Sequence, residues 1–232
     1  LDIDFIIPCY NPEPSWEENL LCQFAELHKL IPQAYFHIFI IDDGSHFSLG
    51  ITKPNQDLEF LKISIIKNTK NKGKGYSLRK GVENAQSPLI IYTDSDFPYT
   101  PASVYKVIKA LSGSSPDLVI GKRNEQYYQQ IPKGRKLVSK LLRQLNKAIL
   151  ATEHTDTQVG LKGFKARGKK LFLETTTDRF LIDLEFIKKA SKQKLEIKAV
   201  SVFLRDNIKL SEVKTSTLIK ELGSFIKILA SR

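Results

Sequence analysis

Tyr92-Thr93-Asp94-Ser95-Asp96 places two carboxylates one residue apart, directly after the apolar run Leu89-Ile90-Ile91. Pro98 and Pro101 then end the extended segment. A buried strand that finishes this way presents its acids at the carboxyl edge of a sheet, where α/β proteins bind ligands. Two hard oxygen donors on a short turn suit Mg²⁺ or Mn²⁺ shared with substrate phosphates. Asp-x-Asp also occurs in ordinary turns, so its surroundings decide. Asn71-Lys72-Gly73-Lys74-Gly75 has the composition of a phosphate cradle. Glycines permit close backbone approach, lysines bring charge, and a following helix would add its N-terminal dipole. It is neither a P-loop nor a dinucleotide fingerprint, which argues against an ATPase and a Rossmann dehydrogenase. A solvated Lys/Gly turn is the competing reading. Pro8-Cys9-Tyr10-Asn11 and Asp42-Asp43-Gly44-Ser45 offer an aromatic ring and further acids at two more strand ends. Asp42 and Asp43 could equally make Asx turns.

The elements that must hold these residues follow from hydrophobic spacing. Residues 5–8 read as a buried first strand, and 14–31 as a helix with Ser15 at its N-cap and Glu18 completing a capping box. Residues 35–41, 63–66, 89–92 and 118–120 read as further strands, and 46–56 as loop. Helices are expected over 71–85, after a glycine-rich start, and over 101–111, with Pro101 in the first turn. Strands alternating with helices predict an α/β fold with a doubly wound, mostly parallel sheet. In the second half, 133–150, 179–192 and 215–229 read as helices, and 159–165 and 197–204 as strands. With no repeat and no convincing linker, one domain over 1–232 is expected, a nucleotide-binding half to about 123 and an acceptor half beyond it.

The chain has 232 residues, enough for one α/β domain with a real core. Its 36 basic and 25 acidic residues give a formal charge of +11, which favours an anionic partner such as phosphate, nucleic acid or a membrane surface. Cys9 and Cys22 indicate neither a zinc site nor a disulfide framework, so a reducing, cytoplasmic setting is expected. His28, His37, His46 and His154 show no metal-ligand spacing, and Trp16 reads as core. No apolar run approaches a membrane span and no signal-peptide pattern opens the chain.

In combination, Ile-Pro-x-Tyr-Asn, Asp-Asp-Gly-Ser, Asn-x-Gly-Lys-Gly and Asp-x-Asp resemble the family-2 glycosyltransferases of GT-A fold. Gly121-Lys122-Arg123, the stretch from Asp156 to Phe164, and that from Arg179 to Phe186 resemble the dolichyl-phosphate (polyprenyl-phosphate) glucosyl- and mannosyltransferases. The resemblance implies inverting, metal-dependent transfer of a hexose from UDP-glucose or GDP-mannose to a polyprenyl phosphate, at the cytosolic membrane face. A family-2 transferase acting on a sugar hydroxyl of a glycan is the alternative. Pro8, Tyr10, Asn11 and Asp43 would frame the nucleoside, Lys72, Lys74, Asp94 and Ser95 the rest of the donor. Asp94 and Asp96 would hold the Mg²⁺ or Mn²⁺. Lys122, Arg123, Arg135, Ser139, Lys162 and Arg205 would face the acceptor. Asp96, Asp156, Arg123 and Arg135 would carry the chemistry, with Asp156 orienting Lys162 or the donor sugar. The sequence departs from the family where Pro12-Glu13 follows Asn11, where Phe47 replaces an acid, and where a late Gly-x-Ser-Lys is missing.

Lys136, Lys140, Arg143 and Lys147 share one face of the helix expected over 133–150, beside a stripe of Leu137, Leu141, Leu145 and Ile149. Such a helix suits an anionic membrane surface, or is an ordinary solvated face above a core stripe. A nucleic-acid-binding domain would use the net charge but leaves the acidic strand ends unexplained, since carboxylates repel phosphates unless a cation intervenes. No nucleic-acid partner is expected. An inactive sugar-nucleotide-binding relative is the remaining rival.

Overall fold

The computed structural model describes residues 1–49, 58–123 and 159–206. The helices expected over 133–150 and 215–229 lie outside these residues, as do Arg135, Ser139 and Asp156. Among the described residues the chain runs β1 (Asp2–Cys9), α1 (Trp16–Leu30), β2 (Tyr35–Asp42), β3 (Leu61–Lys67), α2 (Lys74–Asn84), β4 (Leu89–Tyr92), α3 (Pro101–Ser112) and β5 (Leu118–Arg123). Then follow β6 (Lys162–Phe164), α4 (Ala166–Leu173), α5 (Ile182–Lys192) and β7 (Ile197–Val202).

The strands form one sheet in the order β3-β2-β1-β4-β6-β5-β7. All neighbours pair parallel except the short β6, which runs antiparallel between β4 and β5. The central strands are apolar almost throughout because helices cover both faces. Side-chain alternation sends Ile3, Phe5 and Ile7 to one face, where they meet Leu20, Phe24 and Leu27 of α1 and Val104 and Val107 of α3. Ile6, Ile41 and Tyr92 go to the other face, against Leu78 and Val82 of α2, Phe172 of α4 and Phe186 of α5. The edge strand β3 is half exposed and carries Lys62 and Lys67 at its outer rim, which disfavours pairing with another chain.

Two local expectations change. Ser15 does precede α1, but with ψ at 10° its hydroxyl makes no capping bond, so the capping box with Glu18 does not form. A working cap stands instead before α3, where the Thr100 hydroxyl accepts from the Ser103 amide at 3.2 Å, ahead of Pro101. The strand expected over 159–165 shrinks to three residues, and α4 follows it at once. Only Leu171 and Phe172 give α4 a pronounced apolar face, and Gly168 in its middle masks the helical signal.

The chain order reverses between β1 and β4: β2 and β3 extend the sheet one way from β1, later strands the other way. That reversal opens a crevice at the carboxyl ends of β1 and β4. The loops carrying Tyr10 and Asp94 leave there. α2 packs close beneath it because residue 81 is glycine. A β-carbon at 81 would lie 2.3 Å from Ile6 Cγ2 and 3.2 Å from Ile41 Cγ1. Gly81→Val should therefore lose roughly 1–3 kcal/mol by overpacking. Thermal unfolding followed by circular dichroism should show a midpoint lower by at least about 2 °C. An unchanged midpoint would mean that α2 does not pack on the sheet this way.

Candidate active site

The first two strand ends lock each other. Asp43 N donates to Cys9 O at 2.7 Å, Asn11 N to Ser45 Oγ at 2.9 Å, and His46 N to Asn11 Oδ1 at 2.9 Å. Ser45 N donates to Asp42 Oδ1 at 2.8 Å, so Asp42 does make the local turn. Asn11 adopts φ +45°, a left-handed conformation that asparagine tolerates better than most residues. Pro8 is half-buried within β1, while the Tyr10 ring is 45% exposed, 6.1 Å from the His46 ring. An exposed ring on a fixed loop can take a nucleobase on its face.

Asp43 does something the sequence did not reveal. It is buried, and its carboxylate accepts from Lys72 N (2.9 Å), Gly73 N (2.8 Å) and Asn68 Nδ2 (2.9 Å). It thereby fixes the glycine-rich turn. The amides that open α2 are taken too: Gly75 N and Tyr76 N donate to Asp178 O at 2.7 and 3.1 Å. Gly73 sits at φ +107°, and a β-carbon there would lie 2.4 Å from Asp178 O. The glycines thus admit the protein's own backbone, and the phosphate-cradle reading of the turn gives way. Arg79 reinforces the brace, donating to Thr177 O at 2.6 Å and pairing with Asp178. Glu185 of α5 holds the same segment through Thr176 N (3.0 Å) and Thr177 N (2.8 Å).

The two lysines of the turn diverge. Lys72 lies over the Tyr76 ring, 4.3 Å from its centroid and 3.1 Å from its hydroxyl. Lys74 turns inward, 2.6 Å from Asp94 Oδ1 and 4.0 Å from Asp183 Oδ2. Behind it Lys162 Nζ lies 2.6 Å from both Asp183 Oδ1 and Val159 O, and Tyr92 donates to Asp183 Oδ1 at 2.5 Å. Burial would lower Lys74, but Asp94 and Asp183 outweigh it and hold its pKa above the lysine range. Burial pulls Lys162 down, and Asp183 only partly offsets that. Burial would raise Asp183, yet Lys162 and then Lys74 hold it below the carboxylate range. Lys162, expected to face the acceptor, is 0% exposed and fully engaged, so it is an internal counterion here. Asp183 lies within the Arg179–Phe186 stretch, and the resemblance assigns it no role. Its signal was an acid among the buried positions of a helix, where burial demands a cation.

Asp94 and Asp96 share the turn above this network. Asp94 Oδ2 packs against Gly160, where a β-carbon would come within 2.0 Å of it. Asp96 reaches solvent, but crowding and then the Asp94 charge push its carboxyl up to about 6, against the pull of Lys74 and Arg205. Ser95 hydrogen-bonds the buried Cys9 thiol, which burial pushes up to about 12. Among the described residues no cluster of three or more potential metal ligands occurs. Two acids, one paired with Lys74 and the other open to solvent, fit a divalent ion that completes its shell with substrate oxygens. Lys122 is exposed and Arg123 half-buried at the end of β5, while Arg205 reaches the Asp96 turn.

The sequence of residues 4–174 matches the model of Glycosyl transferase family 2. The chain belongs to this family. The glycosyltransferase is similar to the dolichyl-phosphate beta-glucosyltransferase of Saccharomyces cerevisiae, 23% identical over 223 residues that cover 86% of this chain and 66% of that one. It is also similar to the UDP-N-acetylglucosamine–dolichyl-phosphate N-acetylglucosaminyltransferase of Methanococcus voltae, 26% identical, covering 86% of this chain and 84% of that one. Its fold matches glucosyl-3-phosphoglycerate synthase from Mycobacterium tuberculosis, solved with Mn²⁺, UDP-glucose and phosphoglyceric acid. That match has a TM-score of 0.66 at 14% identity and covers 99% of this chain and 80% of that one. The sheet of this glycosyltransferase is therefore that of the GT-A fold.

Asp183 is the shared anion of the buried network, so its removal strands the Lys162 ammonium and leaves Lys74 with Asp94 alone. Asp183→Ala should cost about 3–5 kcal/mol. Urea unfolding should show it as a lower midpoint with unchanged slope. Combining Asp183→Leu with Lys162→Met should recover part of the loss. A cost under about 1 kcal/mol would mean that solvent reaches this network.

Proposed function

We propose that this glycosyltransferase moves a hexose from a nucleotide sugar, UDP-glucose or GDP-mannose, to a polyprenyl or dolichyl phosphate. Transfer would need Mg²⁺ or Mn²⁺ and would invert the anomeric centre. The observation that carries the reading is the Asp94-x-Asp96 turn at the sheet's reversal point, one acid tied to Lys74 and the other open to solvent. The names of the curated relatives support the acceptor class, and the bound Mn²⁺ and UDP-glucose of the structural neighbour support the donor class.

In this scheme Tyr10 stacks on the base, while Pro8, Asn11 and Asp43 shape the nucleoside side. Asp96 is the principal cation ligand, with Asp94 and Ser95 beside it. When bound, the cation would draw off the charge that builds on the leaving nucleoside diphosphate. Lys74 holds Asp94 in place through its 2.6 Å ion pair, so the turn does not reorganise as that charge develops. Lys72, held on the Tyr76 ring, is the lysine of the turn that would approach the diphosphate. A phosphate acceptor is already ionised and needs positioning cations, where a sugar hydroxyl would need a general base. Lys122 and Arg123 at the end of β5, with Arg135 and Ser139, serve that purpose, and Asp156 orients the donor sugar. No helix among the described residues is long and apolar enough to cross a membrane. We place the reaction at the cytosolic membrane face, where a lipid phosphate is presented.

The test is a donor panel of UDP-glucose, UDP-galactose and GDP-mannose with Mn²⁺ or Mg²⁺ and polyprenyl phosphate, reading out lipid-linked sugar. Asp96→Ala should lower turnover by roughly 10²–10³-fold or more, with an unchanged circular dichroism spectrum. Turnover without a divalent cation would overturn the metal assignment. Arg123→Ala should raise the KM for the lipid phosphate or lower kcat. Indifference to that change, together with sugar transfer to a glycan hydroxyl, would establish the other acceptor class.

A further inference from the structure

The turn that carries Asp96 is strained. Phe97 N donates to Asp94 O at 3.0 Å, closing a tight turn over residues 94–97. Phe97 itself adopts φ +45°, and its ring is fully buried, 5.3 Å from the Phe24 ring. The left-handed conformation is unfavourable for a bulky residue, because its β-carbon crowds the following carbonyl. It persists only where the surroundings enforce it.

Arg205 supplies that enforcement. Its Nε donates to Phe97 O at 2.8 Å, Nη2 to Asp96 O at 2.9 Å, and Nη1 to Asn19 Oδ1 at 2.8 Å. Asn19 Nδ2 also faces Asp96 O at 3.3 Å. The backbone follows the same path. Arg205 N donates to Pro98 O at 2.9 Å, and Thr100 N to Phe203 O at 3.1 Å, around an antiparallel bridge between Tyr99 and Leu204. A planar guanidinium holds two successive carbonyls in a rigid fork, a geometry that the rotatable donors of a lysine ammonium do not preset.

We propose that Arg205, braced by Asn19, is a positioning residue that fixes the Asp96 turn for the divalent cation, and is not a contact to the acceptor phosphate. The proposal rests on the functional reading above, in that it takes Asp96 as the cation ligand. Each of the three guanidinium nitrogens donates into the turn or to Asn19. Asn19 has no charge with which to hold a phosphate, so it separates the two roles.

Calorimetric titration of Mn²⁺ into the protein with saturating UDP or GDP, and no acceptor, tests this on wild type, Arg205→Lys, Arg205→Gln and Asn19→Ala. Both Arg205 variants should bind Mn²⁺ roughly tenfold or more weakly, and Asn19→Ala should shift the same way. The KM for polyprenyl phosphate, measured at saturating Mn²⁺, should stay at the wild-type value in all three. Asp4→Asn is the control for general loosening, because Asp4 ties the amides of Gln86 and Ser87 at the opposite edge of the sheet. Its Mn²⁺ affinity should be that of wild type. Unchanged Mn²⁺ affinity in the Arg205 variants with a raised acceptor KM would overturn the proposal in favour of an acceptor contact. So would a loss in Asp4→Asn equal to theirs, or no effect of Asn19→Ala. A wild-type protein that binds no Mn²⁺ with either nucleotide would overturn the functional reading and this proposal together. That outcome is distinct from the others.

Discussion

One buried carboxylate holds this molecule's working parts in register. Asp183 receives Tyr92 from β4 and Lys162 from β6, and faces Lys74 from the start of α2. Four elements on one side of the sheet therefore meet at one anion. An isolated charge would be untenable at that depth, and an isolated lysine equally so. Because the charges are mutual, no element can shift without stranding a partner. Lys74 then passes the constraint upward to Asp94, whose second oxygen is seated against Gly160. The Asp-x-Asp turn is thus anchored from below by electrostatics and from the side by Arg205.

What could be read from the sequence was what short-range patterns encode. The runs at residues 5–8, 35–41 and 89–92 fix the central strands, and the leucine and phenylalanine spacing fixes α1. Strand-end position alone located Tyr10, Asp43, Asp94 and Asp96 around one crevice. The partners of those residues were not legible, because they depend on which distant backbone arrives. Asp43 looked like a ligand contact, and most of its acceptor capacity goes to the turn over 68–73. The glycines of that turn looked like space for a phosphate, and the space is filled by residues 177–179. Lys162 looked like a cation facing the acceptor. It is buried because β6 inserts between two longer strands, which no local pattern announces. Arg205 follows an extended segment, and its partners lie far away in sequence, on α1 and the β4–α3 turn.

The recurring theme is that amide donors and cations near the cleft are satisfied internally before any substrate arrives. Asp43, Asp178 and Glu185 each take backbone amides. Such a site is preorganised, and less reorganisation is required as charge develops on a leaving group. Tyr10 and Asp96 stand apart from this pattern. Both reach solvent from loops that are otherwise fixed, which is where a donor and its cation would be met.

The brace on the glycine turn also sets an order of assembly. Arg79 reaches the carbonyl of Thr177 across 98 positions of chain, and Tyr92 reaches Asp183 across 91. Contacts of such separation form late, because a long loop must close before they return anything. As the chain leaves a ribosome, β1 through β4 can pair while the first amides of α2 still face water. The acidic turn and its lysine exist by then, but without the anion beneath them. Residues past 174, where the family match ends, therefore complete the cleft that the first hundred residues begin. A fragment cut before that point keeps every motif that marks the family and lacks the charge that holds them still.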